Sequence, residues 1–317
     1  MSIKKAIYYF GTDIDIDPVA PRVFSSLEEL DKKLEKTGLT IDGYDVLKHT
    51  DEKGNEFYFA RTERVIWHDI NFYMPIMNEH FSDFDFGGLV TWHEGGNAPD
   101  KIFTIHSAGD VLSGNFGPAN PVYMRNLLLS LEKNRAESML ADYSVVTEAT
   151  HWSSVVYSGV DAEMVREYNV PTVDIEIGSS MECWSNTDAA DVIAKSLFDA
   201  FNDDGKEIVS LLCAGGVHFE PAFAGAVFEE WGSKAFGISH IMANQWLVGG
   251  CYEEESGIDK IENCIKSIQG GIDGIVIHDK MKGTYKDQFR AIAQKYNVPV
   301  FKHQQLRRPD DVSWINK

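Results

Sequence analysis

Cysteine is scarce in this chain: there are four in 317 residues, Cys183, Cys213, Cys251 and Cys264, and no two form a Cys-x-x-Cys pair. That excludes a disulfide framework and a zinc ribbon, and leaves reduced thiols in or near a core. Long apolar runs are missing too. The first covers only Ala6–Phe10, too short for a signal-peptide core, and no later one is long enough to span a bilayer. The expectation is a soluble cytoplasmic protein with no membrane partner. Positive charge is in deficit, with 29 Lys or Arg against 49 Asp or Glu and a formal net charge of −20. A generally basic nucleic-acid coat protein is excluded, and any polyanionic partner needs a local basic region. No Gly-x-Ser-x-Gly elbow, Walker loop, Rossmann fingerprint or His-Glu-x-x-His occurs, which disfavours P-loop nucleotide hydrolysis and the common serine-hydrolase design.

What is present is a large core: 44% of residues are hydrophobic and 12% aromatic, enough for one sizeable α/β unit. Strand-like runs at 6–10, 89–92, 102–106, 145–149, 173–177, 208–213, 235–241, 274–278 and 298–302 alternate with helical patterns at 122–138, 187–202, 221–231, 256–268 and 284–297. Ser26-Leu-Glu-Glu29 has the spacing of a capping box and predicts a helix from there to about Thr37. The alternation predicts a three-layer α/β/α fold with a mainly parallel or mixed sheet, as a single domain over residues 1–317. The stretch 41–83, with its polar turn Asp51-Glu-Lys-Gly-Asn55, reads as a less regular elaboration at the sheet edge.

Five of the ten histidines, His93, His106, His151, His218 and His240, fall at the ends of predicted strands or just beyond them, where open α/β sheets bind ligands. The most specific phrase is Cys213-Ala-Gly-Gly-Val-His-Phe-Glu-Pro221. Gly215 and Gly216 allow a sharp turn and close approach to the backbone, and Pro221 suits a first helical position. His218, near that helix start, is kept neutral and able to ligate a metal or accept a proton. His93 and His106 end the matched phrases Val90-Thr-Trp-His-Glu94 and Phe103-Thr-Ile-His-Ser107, and imidazole ligands favour Zn²⁺. His240 lies within or at the end of a strand, where backbone hydrogen bonds alone often hold a histidine. In Val173-Asp-Ile-Glu-Ile177, alternation puts Asp174 and Glu176 on one face. Such acids need a cation, a donor or solvent, and solvent is the stronger expectation for Asp174 than for Glu176.

Together these phrases resemble the D-aminoacyl-tRNA deacylases of the archaeal and plant type. The order is Trp92-His93, Phe103-Thr-Ile-His106, Gly114-Asn-Phe-Gly117, Glu148-Ala-Thr-His151, Ile175-Glu-Ile-Gly-Ser179 with Trp184, Gly215-Gly-Val-His-Phe-Glu-Pro221, Ser239-His-Ile241, and His278-Asp-Lys-Met-Lys-Gly283 with Arg290. The resemblance implies a zinc-containing hydrolase with a phosphorylase/hydrolase-like fold related to peptidyl-tRNA hydrolases. Such an enzyme cleaves the ester of D-aminoacyl-tRNA and releases free tRNA and the D-amino acid. The implied site gathers His93, His106, Glu148, His151, Glu176, His218 and His240. The sequence departs from the family at Trp152, where a second histidine is usual, at Val217, where a glycine is, and after Ser239-His-Ile241, where a lysine is absent.

The resulting assignment puts Zn²⁺ on some of His93, His106, Glu148 and His151, with His218, Glu176 and His240 as catalytic groups and amides near Gly215 and Gly216 as oxyanion donors. The tRNA needs cations, and between Asp279 and Arg308 eight basic residues stand against two acidic ones. Within that segment Lys282, Lys286 and Arg290 are the expected phosphate contacts. Competing readings keep the fold but change the substrate to another nucleoside or acyl compound, or keep tRNA binding without activity. The expected assembly is a monomer or small homo-oligomer.

Overall fold

The computed structural model describes residues 2–95, 98–229 and 231–308. The chain begins β1 (Lys5–Gly11), α1 (Ala20–Leu30), β2 (Glu35–Ile41), β3 (Tyr44–Thr50), β4 (Glu56–Thr62), α2 (Ile70–Phe81), β5 (Phe86–His93), β6 (Ile102–Ser107), β7 (Gly109–Asp110), β8 (Asn115–Phe116). It continues α3 (Pro121–Glu137), β9 (Ser144–Thr147), α4 (Ser154–Tyr157), β10 (Thr172–Gly178), α5 (Met181–Trp184), α6 (Thr187–Ser196). The last part is β11 (Glu207–Ala214), α7 (Pro221–Phe228), β12 (Lys234–Met242), α8 (Asn244–Gly249), α9 (Ser256–Ser267), β13 (Gly274–Ile277), α10 (Gly283–Tyr296), β14 (Val300–Lys302). Among the described residues no helix is long and apolar enough to cross a membrane.

The α/β class is as expected, but the strands divide between two main sheets. The larger has the order β2-β3-β4-β1-β5-β10-β6-β9 and is mixed: β4, β1, β5 and β10 run parallel, and β6 pairs antiparallel with β10. The smaller, β12-β11-β13-β14, is wholly parallel. Alternation along the central strands sorts the core. Tyr8, Phe10, Val173, Ile175 and Ile177 face a cluster shared with α1, α3 and α6, which reaches Leu211, Cys213 and Ile238 of the smaller sheet. Ile7, Tyr9 and Leu89 point the other way, toward Trp67, Tyr73, Met77 and Trp152.

The two sheets are joined along one seam that decides where the functional groups meet. Ser107 Oγ donates to the Ser239 carbonyl at 2.9 Å. The Ala149 amide donates to the His218 carbonyl at 2.9 Å, and the Thr150 amide to that of Ile241 at 2.8 Å. The segment just after β9 is thereby held against the ends of β11 and β12.

Helix α1 differs from its expected bounds. Asp17 starts it, accepting from the Val19 and Ala20 amides at 2.9 Å each, so Ser26 lies in mid-helix. The helix stops at Leu30 because Asp31 is bound to the Lys33 amide and the His49 ring, and β2 then pairs with β3. The stretch 41–83 is more regular than its sequence predicts: β3 and β4 form a hairpin around Asp51, which accepts from the Lys53 and Asn55 amides, and α2 follows.

Asp17 is fully buried, and its Oδ2 has no hydrogen-bond partner. Burial outweighs the two amide donors and pushes its carboxyl up to about 7 from 3.8. The unfolded carboxyl ionises first, so the fold loses stability as pH climbs between those values. Asp17→Asn keeps the Oδ1 cap without the charge. At about 1.4 kcal/mol per pK unit, it should gain on the parent by roughly 2–4 kcal/mol between pH 4 and 8 in urea unfolding. Parallel pH profiles would exclude a buried, protonated Asp17.

Candidate functional site

A pocket of about 200 Å³ opens on the larger sheet, and its strand residues come from β5 and β10, with β6 paired beside β10. Asp174 sits opposite His106 in the antiparallel β10–β6 register, and Gly178 sits beside His93 in the parallel β10–β5 register. The seam brings Glu148 and His151 to these strands, and the turn after β11 brings His218. His93, Glu148, His151, Asp174, Glu176 and His218 line one cavity, and His106 packs beneath it.

Glu148 is the common partner. Its Oε1 lies 2.6 Å from His218 Nε2, 3.4 Å from His93 Nε2 and 3.6 Å from His151 Nδ1. Burial alone would favour the neutral acid, but the surrounding imidazoles hold its carboxyl well below the usual range. Asp174 and Glu176 each place an oxygen 3.5 Å from His106 Nε2. Burial pushes Asp174 up to about 6 and, with the Glu148 charge, Glu176 to about 7. Burial works against charging His106, yet the three carboxylates raise it to about 10. Burial likewise opposes charging His93, and Glu148 reverses it, so that ring is raised.

The hydrogen-bond network assigns the tautomers. His106 Nδ1 meets the Ser107 carbonyl at 3.3 Å and His151 Nδ1 the Ala149 carbonyl at 3.0 Å. A carbonyl only accepts, so both nitrogens carry the proton. Ser179 Oγ donates to the Pro99 carbonyl, so it accepts from His93 Nδ1 at 3.0 Å. His93 and His106 are thus anchored through Nδ1–H and turn Nε2 toward the carboxylates, whereas His151 has Nδ1 on the Glu148 side, and burial with the His106 charge pushes it down to about 3. An inward Nε2 beside carboxylates must be protonated or bound to a cation, and an anchored Nδ1–H is the usual support of a metal-bound imidazole.

His106 Nε2, Glu148 Oε2 and Glu176 Oε2 are buried with no hydrogen-bond partner. Three sets of side chains could hold an ion: His93, Glu148 and His218; His106, Glu148 and His151; His106, Asp174 and Glu176. The residues therefore fit a divalent cation, with Glu148 offering one oxygen to His218 and the other to the ion.

Several expected roles change. His240 does not join the pocket. It is fully buried between the sheets, with Nδ1 on Thr150 Oγ1 at 3.2 Å and Nε2 on Ser267 Oγ at 3.0 Å, and burial pushes it down to about 3. Gly215 and Gly216 do adopt the left-handed turn, with φ of +87° and +77°, but the Gly215 amide is spent on the Met242 carbonyl at 2.9 Å. It is no oxyanion donor in this arrangement. Trp152 is buried and packed edge-on against Trp67. Trp67 in turn donates to Asp174 Oδ1 at 2.7 Å. Asp174 is thus a buried member of the site, with solvent excluded from it.

Sequence reasoning also missed the apolar and aromatic part of the lining: Val65, His68, Leu89, Trp92 and Tyr157. His68 stacks on Tyr157 at 3.9 Å and meets Trp92 edge-on. Val65, His68 and Tyr157 come from segments with no motif, while Leu89 and Trp92 belong to β5, the strand whose phrase ends in His93. Away from the pocket, Lys282 is exposed at the start of α10, Lys286 Nζ donates to the Asp279 carbonyl at 2.6 Å, and Arg290 pairs with Asp287 at 2.8 Å.

The family model described as D-aminoacyl-tRNA deacylase matches residues 80–301. A D-aminoacyl-tRNA deacylase of Archaeoglobus fulgidus is 27% identical over 175 residues, 53% of this chain and 57% of that protein. One of Methanocorpusculum labreanum is 26% identical over 264 residues, 78% of this chain and 51% of that protein. The chain thus spans little more than half the length of these curated relatives. A conserved protein of unknown function with a solved crystal structure shares the fold, at TM-score 0.73 and 19% identity, over 97% of this chain and 98% of its own.

His240 is read as a packing residue. His240→Ala should lower stability by roughly 2–4 kcal/mol and leave the NMR ring titrations of His93, His151 and His218 unmoved. Displaced titrations would tie His240 to the pocket.

Proposed function

The chain belongs to the D-aminoacyl-tRNA deacylase family, and from that premise we propose that it hydrolyses the ester of D-aminoacyl-tRNA in the cytoplasm, releasing free tRNA and the D-amino acid. The observation that carries this reading is the buried Glu148 carboxylate shared by His93, His151 and His218 at the edge of an accessible pocket. Ester hydrolysis needs a base to take a proton from water, a positive group for the developing oxyanion and an acid for the departing ribose oxygen.

His218 supplies the base. With Nε2–H held by Glu148, its lone pair lies on Nδ1, the arrangement that a carboxylate imposes on a catalytic imidazole. After taking the water proton, the same ring returns it to the ribose oxygen as the acyl bond breaks. Glu176, titrating near neutrality, is the second proton carrier, and the positive charge beneath it, the His106 Nε2 proton or the cation that displaces that proton, offsets negative charge. The apolar and aromatic wall from Val65 to Tyr157 seats the acyl side chain.

Zn²⁺ suits the imidazole-rich donor set of His93, His106 and His151 with Glu148, while Asp174 and Glu176 offer further oxygens to His106's side of the site. Bound there, it would polarise the ester carbonyl or lower the pKa of a bound water.

Deacylation of D-Tyr-tRNA and L-Tyr-tRNA by the parent and by His218→Ala tests the assignment. The D-ester should be hydrolysed preferentially, and the variant should lose about 10²–10⁴-fold in kcat; equal rates would remove His218 from the chemistry. Elemental analysis should find zinc that survives dialysis and is lost in His106→Ala. Zinc-free, fully active protein would contradict the metal assignment.

A further inference from the structure

The substrate proposed above is a polyanion, whereas this chain carries a net charge of −20. On α10, Lys286 and Arg290 are already engaged by Asp279 and Asp287. Just past β14 the situation differs. A cavity of about 370 Å³ is lined by Lys302, His303, Gln304, Gln305, Arg307 and Arg308, with no carboxylate among the described residues that line it. Lys302 and Arg307 are exposed and have no salt bridge among the described residues. In so acidic a protein, a concave surface with Lys302 and Arg307 exposed and no acid among its described lining residues concentrates positive potential.

This surface is wired to the pocket. His303 Nδ1 accepts from the Asp279 amide at 3.2 Å, which leaves its N–H on Nε2 as a donor. Its ring stacks on His278 at 4.0 Å. His278 Nδ1 accepts from the Lys280 amide at 3.2 Å, so its Nε2 carries the proton and faces Glu220 Oε2 at 3.4 Å. Glu220 lies two residues beyond His218 in the same turn, and Gly216 fits there because a Cβ would come within 2.8 Å of Glu220 Oε2. The carboxyl ends of β11, β13 and β14 share one edge of the parallel sheet, so the turn that delivers His218 and the basic cavity lie along that edge.

We infer that the Lys302–Arg308 cavity is the phosphate-binding subsite for the RNA backbone leading to the ester, with Lys302, Arg307 and His303 as its donors. The inference rests on the aminoacyl-tRNA reading of the pocket. Cations here position the substrate and take no part in bond breaking, so they act on KM and on salt dependence.

The test compares the full-length parent with Lys302→Glu/Arg307→Glu, two exposed positions, with thermal unfolding confirming equal stability. For D-Tyr-tRNA the variant should raise KM about tenfold or more with kcat unchanged, and the salt slope of log KM should fall by about one to two. Hydrolysis of the D-tyrosyl ester of adenosine, which lacks the RNA backbone, should stay at the parent rate. Lys302→Arg/Arg307→Lys should restore KM. Unchanged KM and salt slope, or an equal loss on the adenosine ester, would overturn the inference. Binding of uncharged tRNA, measured separately, keeps the two readings apart. If the parent binds tRNA without cleaving either ester, and the Glu variant does not bind, the subsite stands and the deacylase reading falls. If both bind equally, the subsite falls.

Discussion

One buried carboxylate organises the site. Glu148 is 1% exposed and has three imidazoles around its Oε1. A charge taken this far from water is tolerated only if its partners repay the lost solvation. The partners are delivered by separate parts of the chain: His93 by β5, His151 by the segment after β9, His218 by the turn after β11. The backbone seam between the sheets brings the His218 turn against the segment of Glu148 and His151, so the ion cluster and the docking of the sheets stabilise one another. Asp174 and Glu176 then face a site that already contains a fixed negative charge. Three carboxylates cannot all ionise freely in one such pocket, and two of them are shifted toward neutrality. The same electrostatics supplies a fixed anion, titratable carboxyls near pH 7 and a charged His106, which is the inventory acid–base catalysis of an ester requires.

The anchoring of the histidines extends the constraint outward. Ser179, Ser107 and Ala149 each take an Nδ1 proton, and Trp67 takes one oxygen of Asp174. Trp152, the residue after His151, packs edge-on against Trp67. Its effect on the site is transmitted through that packing to the Trp67–Asp174 hydrogen bond.

Much of this was legible in the sequence. β1, β5, β6 and β9 to β14 are apolar or β-branched runs whose burial is written in their composition. The hairpin of β2 and β3 was not: β2 is mostly exposed and reads as polar chain, and its pairing is a tertiary fact. Helix α2 holds an internal Pro75, which hid its period. Alternation along β10 correctly put Asp174 and Glu176 on one face, but a period of two cannot say what covers that face. Trp67 covers Asp174 and Trp152 packs against Trp67, and both come from distant segments. His240 shows the converse: a strand histidine in the right motif, carried by the geometry of β12 into the interface between sheets. The cluster of His93, His106, Glu148, His151, Glu176 and His218 was visible because each sits at a strand end or in the alternating face of a strand.

The most direct test of the central claim is the deacylation rate of Glu148→Gln, which keeps the side chain's shape and removes its charge, measured on folded protein with D-aminoacyl-tRNA. If the Glu148 anion orders the histidines, the rate falls by at least about a hundredfold. A rate within threefold of the parent would show that the site works without its charge.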